Sequence, residues 1–197
     1  MVTKYDEAVA AGYTVSDCVA GVFATVDRAW FSSLKADGCA SVDQAAAEAA
    51  WKRIVDKGAG ASQLDCYQLR PAILGHGVNM SAPGLHLLAL AVAESRLKQP
   101  TTCILDVGCG SGFCAATFAF LAGACGSSDV QVLGVDHVSE FIDLANATVK
   151  WAVPDLAGHI AFKCADARLM DAEEHAGKCV AAECEETLRK MLIEPLA

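Results

Sequence analysis

The run Ile104-Leu105-Asp106-Val107-Gly108-Cys109-Gly110-Ser111-Gly112 leaves little choice of local structure. An apolar strand enters an acidic residue and then meets glycine at every second position. Such a sequence makes a strand-to-helix turn in which backbone, freed of side chains, approaches a ligand closely. The spacing Asp-x-Gly-x-Gly-x-Gly differs from the dinucleotide fingerprint Gly-x-Gly-x-x-Gly, which places a pyrophosphate on a helix N-terminus. An acid ahead of the glycines favours a ligand with a positive end. The sulfonium and ammonium of S-adenosylmethionine meet that requirement better than NAD does.

The flanking pattern alternates strand and helix. Strands are predicted over 102–107, 130–135 and 159–164, with helices over 111–124 and 138–151 between them. That alternation implies a parallel sheet with right-handed crossovers, an α/β Rossmann-like fold whose ligand lies at the carboxyl ends of the strands. Asp106, Asp136 and Asp166 each fall at such an end. Upstream, helices are predicted over 5–13 and 16–33. Ser41-x-x-Gln44 is a capping-box signature opening an alanine-rich helix over about 42–57. Gly58 to Ser62 reads as a link, 63–83 as loop with short extended pieces, and 84–98 as a helix. Lys178 to Ala182 is a weak fourth strand, and Glu183 to Ile193 a helix. The whole reads as one domain over 1–197, with an N-terminal helical region (1–65) and a cofactor-binding core (66–197).

The chain has 197 residues, 54% hydrophobic and 20% charged, with a net charge of −9. That composition excludes disorder, and the acidic balance argues against nucleic acid, whose phosphates need lysine and arginine. An acidic N-terminus with no apolar region after it argues against a secretory signal. The apolar run Phe113 to Cys125 is too short to span a bilayer. A soluble cytoplasmic protein is expected. The 10 cysteines form no Cys-x-x-Cys pair and the 5 histidines lack ligand spacing. Reduced thiols packed as small hydrophobes are therefore expected, with no metal site.

At the strand tips, Asp136 is placed to accept both hydroxyls of an adenosine ribose, the alternative being a solvated strand-end acid. Asp166 is placed to accept from the adenine amine, or to make a local Asx-turn. Asp106 either anchors the glycine loop or faces the methionine ammonium. Gly108 and Gly110 let backbone approach the ligand, and Gly112 lets the helix pack tightly on the sheet. Methyl transfer is an in-line displacement that depends mostly on alignment. An acceptor that is already a carboxylate needs no strong base.

Several segments together resemble one family. Val78-Asn79-Met80-Ser81-Ala82-Pro83-Gly84-Leu85-His86 resembles the Thr-Ile-Ser-Ala-Pro-His-x-His segment of the protein-L-isoaspartate (D-aspartate) O-methyltransferases. Asp27-Arg28-Ala29-Trp30-Phe31 is similar to that family's Asp-Arg-x-x-Phe/Tyr. Tyr67 with Pro71, followed by Leu74-Gly75, resembles its Tyr-x-Asp-x-Pro and Ile-Gly. Leu105 to Gly112 resembles its Leu-Asp-Val-Gly-Ser-Gly-Ser-Gly. Gly134-Val135-Asp136-His137-Val138-x-Glu140 resembles its Gly-Ile-Asp-His-Ile-x-Glu, and Ala165-Asp166-Ala167-Arg168 its Gly-Asp-Gly-Arg.

The resemblance implies an S-adenosylmethionine-dependent methyltransferase fold and a repair enzyme that esterifies the α-carboxylate of L-isoaspartyl residues in damaged proteins or peptides, releasing S-adenosylhomocysteine. It implies Ser81 as the active-site serine. It also implies cofactor contacts from Val78, Asn79, Met80, Ser81, His86, Asp106, Gly108, Gly110, Asp136, His137, Asp166 and Ala167. His86 is alternatively a core residue, and His137 a packing one. No nucleic acid or membrane partner is implied, and a monomer is expected. A non-catalytic or divergent cofactor-binding protein, or a methyltransferase for another acceptor, are the competing readings.

The chain departs from the family pattern in several places. Cys109 stands for a serine, Asn79 for a threonine, Gly84 for a histidine, Leu69 for an aspartate and Ala167 for a glycine. The helix expected near 34–62 reads as an insertion, either a surface decoration or a gate on the peptide side. Only Leu169 to Ala197 follow Arg168, so the resemblance predicts a sheet truncated after the fourth-strand region, with an unpaired edge.

Overall fold

The computed structural model describes residues 14–32, 42–55, 65–75, 77–97, 103–127, 129–170 and 179–182. The helices predicted over 5–13 and 183–193, and the link at 58–62, lie outside them.

Helix α1 (Asp17–Thr25) starts where the Ser16 side chain accepts from the N–H of Val19. It is shorter than predicted, because Val26 turns extended and Asp27 caps a new 3-10 turn, Arg28–Phe31, by accepting from the N–H of Ala29. Helix α2 (Val42–Val55) follows. A 3-10 turn at Asp65–Tyr67 leads into an antiparallel hairpin, β1 (Ala72–Gly75) and β2 (Val78–Met80), within a stretch expected to be mostly loop. Helix α3 (Pro83–Leu97) leads to β3 (Cys103–Val107), α4 (Phe113–Ala124), β4 (Gln131–Asp136), α5 (Ser139–Ala152), β5 (Ile160–Cys164) and β6 (Cys179–Ala182).

Strands β5, β4, β3 and β6 form one parallel sheet in that order. The chain steps from β3 through β4 to β5, so right-handed crossovers place α4 and α5 on the same face. It then returns to set β6 on the other side of β3, with Val107 opposite Ala182. The predicted fourth strand therefore exists, and it lies against the glycine-loop strand. Among the described residues no strand pairs with the outer side of β5. The reversal of strand order at β3 makes the crevice above its carboxyl end the expected ligand position.

Helix α4 is buried nearly all round, with Phe113, Ala115, Ala116, Phe118 and Leu121 almost inaccessible. It packs against α1 and α3 on one side and the sheet on the other. Helix α2 corrects the surface-decoration reading. Ala47, Ala50, Trp51 and Ile54 recur at helical spacing and are all buried. They seat the helix on α5 and the hairpin, and an Arg53–Asp143 ion pair at 3.3 Å closes the exposed rim. Among the described residues no helix is long and apolar enough to cross a membrane.

Candidate cofactor and acceptor site

The glycine turn is fixed from β4. The carbonyl of Val135 accepts from the N–H groups of both Gly108 and Cys109, at 2.8 and 3.1 Å. Helix α4 starts only at Phe113, later than predicted, because Gly112 holds the left-handed φ of 91°. A Cβ on Gly112 would lie 3.0 Å from the Phe162 ring and 3.1 Å from Ala145. Its role is the tight helix–sheet packing expected of it. Gly108 is different. Its φ is 80°, but a Cβ there would meet nothing within 4 Å. This is the position where bare backbone faces open space.

That space is a cavity of about 510 Å³. Its size falls in the range of roughly 300–1,000 Å³ typical of small-molecule sites. It is lined by Asn79 in hairpin strand β2 and Ser81 just after it, Val107 and Gly108 at the tip of β3, and Val135, Asp136 and His137 at the tip of β4. Ala165, Asp166 and Ala167 after β5 complete the wall. Asn79, Ser81, Gly108, Asp136, His137, Asp166 and Ala167 are thus brought together from four separate segments. Val107, Val135 and Ala165 were not singled out from sequence. They are strand-end or loop neighbours of the predicted residues, and alternation along a strand does not show which side of its tip opens to a ligand.

Asp136 is 5% exposed and does two jobs. One carboxylate oxygen accepts from the N–H of Gly110 at 3.0 Å, tying the glycine turn to β4. The other accepts from the N–H of Val138 at 3.0 Å, ahead of α5, and lies 3.4 Å from Nδ1 of the exposed His137. Asp166 lines the cavity after the neighbouring strand β5, its carbonyl accepting from the N–H of Leu169.

Five expected contacts fall elsewhere. Met80, His86 and Gly110 line a second, much smaller cleft on the other side of the glycine turn, which shares Asn79 with the cavity. Val78 packs against the core, and Asp106 is fully buried in β3. Neither lines the cavity. His86 belongs to the core. Its ring centroid lies 4.9 Å from that of Phe113, and its Nδ1 accepts from Arg28 Nη1.

Arg28, which stands in the sequence only as part of a motif and without a role, organises this end of the site. It is 3% exposed, with its guanidinium 4.9 Å from the Phe113 ring centroid. Nε donates to the carbonyl of Cys66 at 2.9 Å, and Nη2 donates to the carbonyl of Ser81 at 2.8 Å. One side chain therefore joins the 65–67 turn to the Ser81 segment of the cavity wall. Beside it, the Tyr67 hydroxyl donates to Asp27. Desolvation first, then that hydrogen bond to a carboxylate, push the Tyr67 hydroxyl above the ordinary tyrosine range. The Asp27-Arg28 pair was the available signal, since a charged dipeptide in a buried turn needs partners.

These residues suit a particular ligand chemistry. Two carboxylates, at the tips of neighbouring strands, accept from hydroxyls or an amine and favour positive charge. Gly108 admits close backbone approach, and Ser81 lines the same cavity.

The model of the family described as protein-L-isoaspartate(D-aspartate) O-methyltransferase matches residues 33–176, across helix α2. An Arabidopsis thaliana protein-L-isoaspartate O-methyltransferase 1 is 31% identical over 117 residues, covering 59% of this chain and 47% of that protein. The Arabidopsis thaliana protein-L-isoaspartate O-methyltransferase 2 is 35% identical over 83 residues, 42% of this chain and 25% of that protein. A solved Plasmodium falciparum structure, described as a protein-L-isoaspartate O-methyltransferase in complex with S-adenosyl-L-homocysteine, superposes with a TM-score of 0.57 at 20% identity. It covers 86% of this chain and 65% of that one. The matched regions span less than half of the two plant relatives.

Proposed function

The chain belongs to the protein-L-isoaspartate(D-aspartate) O-methyltransferase family, and on that premise we propose that it binds S-adenosylmethionine in the 510 Å³ cavity and methylates the α-carboxylate of L-isoaspartyl residues in damaged proteins. The observation that carries the reading is the convergence of Gly108, Asp136, Asp166 and Ser81 on one cavity.

Asp136 receives the ribose hydroxyls and Asp166 the adenine amine, while Gly108 lets the cofactor lie against backbone. Ala167, Asn79 and His137 complete the walls. When bound, the cofactor supplies an activated methyl group. The acceptor carboxylate is ionised at neutral pH, so the chain has no proton to remove and its task is alignment. The Ser81 hydroxyl donates to that carboxylate, and Arg28 fixes the Ser81 backbone from behind. The same reading makes 1–65 a helical region and 66–197 the cofactor core of a single domain, acting as a monomer in the cytoplasm.

The test is transfer of a labelled methyl group to an isoaspartyl peptide, with S-adenosylhomocysteine binding measured by calorimetry in parallel. Base-labile ester from the parent chain is expected. Asp136→Asn should weaken binding by about tenfold or more, equivalent to about 1.4 kcal/mol. Ser81→Ala should keep binding and lose turnover. Binding with no ester from folded protein would assign a cofactor-binding role without turnover, and no binding would overturn the reading.

A further inference from the structure

We propose that Cys18, Glu94 and Cys125 form a binding site for a borderline-soft divalent cation of the zinc class. The three residues come from α1, α3 and the C-cap of α4, and their ligating atoms lie within 4.8 Å of one another. All three side chains are partly buried. Two thiols and a carboxylate are a donor set suited to Zn²⁺, with Zn–S near 2.3 Å and Zn–O near 2.0–2.2 Å. Tetrahedral geometry at those lengths sets ligand atoms about 3.5–3.8 Å apart, so closure needs ~1 Å of side-chain movement.

Two further features prepare the site. Ser16 Oγ donates to Glu94 Oε1 at 2.9 Å while accepting from the N–H of Val19 at 3.1 Å. A hydrogen-bonded carboxylate is an oriented ligand, and such outer partners are a regular part of metal sites. Cys125 also stands at the carbonyl end of α4, whose partial negative charge favours a cation. The glycine turn is at the opposite end of α4, about 18 Å away for its 12 residues. The site is therefore separate from the cofactor cavity, and its role is to join α1 to α3 and α4. Spacing in the sequence showed no such site because its ligands lie on three distant segments.

The experiment uses the full chain, reduced and freed of metal with a chelator, titrated with Zn²⁺ alone and with Co²⁺ as a spectroscopic probe. One equivalent should bind, with a thiolate-to-cobalt charge-transfer band and a raised melting temperature. Ser16→Ala should weaken binding by roughly 10–100-fold, and Cys18→Ser or Cys125→Ser by more. Cys103→Ser, at a partly buried thiol elsewhere, should leave it unchanged. X-ray absorption of the zinc-loaded parent chain should show two sulfur scatterers, a readout that does not depend on the variants folding. Overturning results are no binding by folded protein, binding that survives Cys18→Ser and Cys125→Ser, a shell of nitrogen and oxygen only, or a Cys18–Cys125 disulfide in place of metal.

Discussion

Replacing Arg28 by Met keeps an aliphatic side chain in the buried site and removes the guanidinium that lies over Phe113, with every donor it carries. The carbonyls of Cys66 and Ser81 and Nδ1 of His86 each lose a contact the structure gives them. A hydrogen bond from a charged group contributes about 1.5–3 kcal/mol, and a buried acceptor left behind costs about 1–3 kcal/mol. The three contacts share one side chain and are not additive, so a total of about 3–5 kcal/mol is expected. That is a large part of the roughly 5–15 kcal/mol that holds a domain folded. For a domain of this size it corresponds to a fall of about 6–20 °C in melting temperature. Arg28→Lys, which restores a charge but not the fork, should fall between the two. The assay is thermal unfolding followed by circular dichroism. Methyl-transfer kinetics are then measured well below each transition, where the loosened Ser81 segment should lower kcat more than it weakens S-adenosylhomocysteine binding. An Arg28→Met protein melting within about 2 °C of the parent would mean a cost near or below 1 kcal/mol, and the clamp would then be no more than a crowded contact.

The two glycine positions should separate stability from binding. Gly112→Ala incurs left-handed strain of about 1–2 kcal/mol and a further ~1–3 kcal/mol of overpacking against Phe162 and Ala145, read as a lowered urea midpoint. Gly108→Ala incurs only the strain, about 1–2 kcal/mol, and puts its methyl group into the cavity, so calorimetry should show binding lost with a smaller fall in that midpoint than Gly112→Ala gives. Trp51→Ala should cost about 3–5 kcal/mol by denaturant unfolding, because the ring is buried between elements and is not on a decorative surface. The raised Tyr67 hydroxyl favours the fold below the ordinary tyrosine pKa of about 10, and that contribution is lost as pH climbs past it, since the unfolded chain ionises first. Tyr67→Phe should therefore flatten the alkaline fall in urea midpoint, and an unchanged pH profile would refute the Asp27 contact.

Local chemistry was the legible part. The glycine turn, the strand-tip acids Asp136 and Asp166, and Ser81 before α3 are each defined by a few consecutive residues, and the sheet only had to bring their segments together. What escaped depends on contacts between distant segments. Arg28 meets His86, 58 positions away, and sequence reading placed that histidine between core and cofactor with nothing to decide it. Helix α2 carries its buried face in alanines, whose spacing is a weak hydrophobic signal until Trp51 and Ile54 are seen against α5. The sequence shows Gly134 only within a motif, with no packing role. Yet a Cβ there would lie 2.5 Å from the ring of Phe162, its partner on the neighbouring strand β5, so that ring can lie over β4 only because the position is bare.

Asp136 shows why the fold and the site cannot be assigned to different residues here. A carboxylate offers about four lone-pair positions. Backbone N–H groups of Gly110 and Val138 take one on each oxygen, and these two bonds tie the glycine turn and the start of α5 to the tip of β4. His137 approaches a third position, but its side chain is 78% exposed and is free to turn into solvent. Asp136 also lines the cavity. If it receives the ribose diol as proposed, it can do so without releasing the turn, and the ordering cost of binding is then small. A substitution that removes the charge weakens both at once. Loss of binding in Asp136→Asn is therefore informative about ribose only when the turn is shown to be intact, for example by an unchanged melting temperature without ligand.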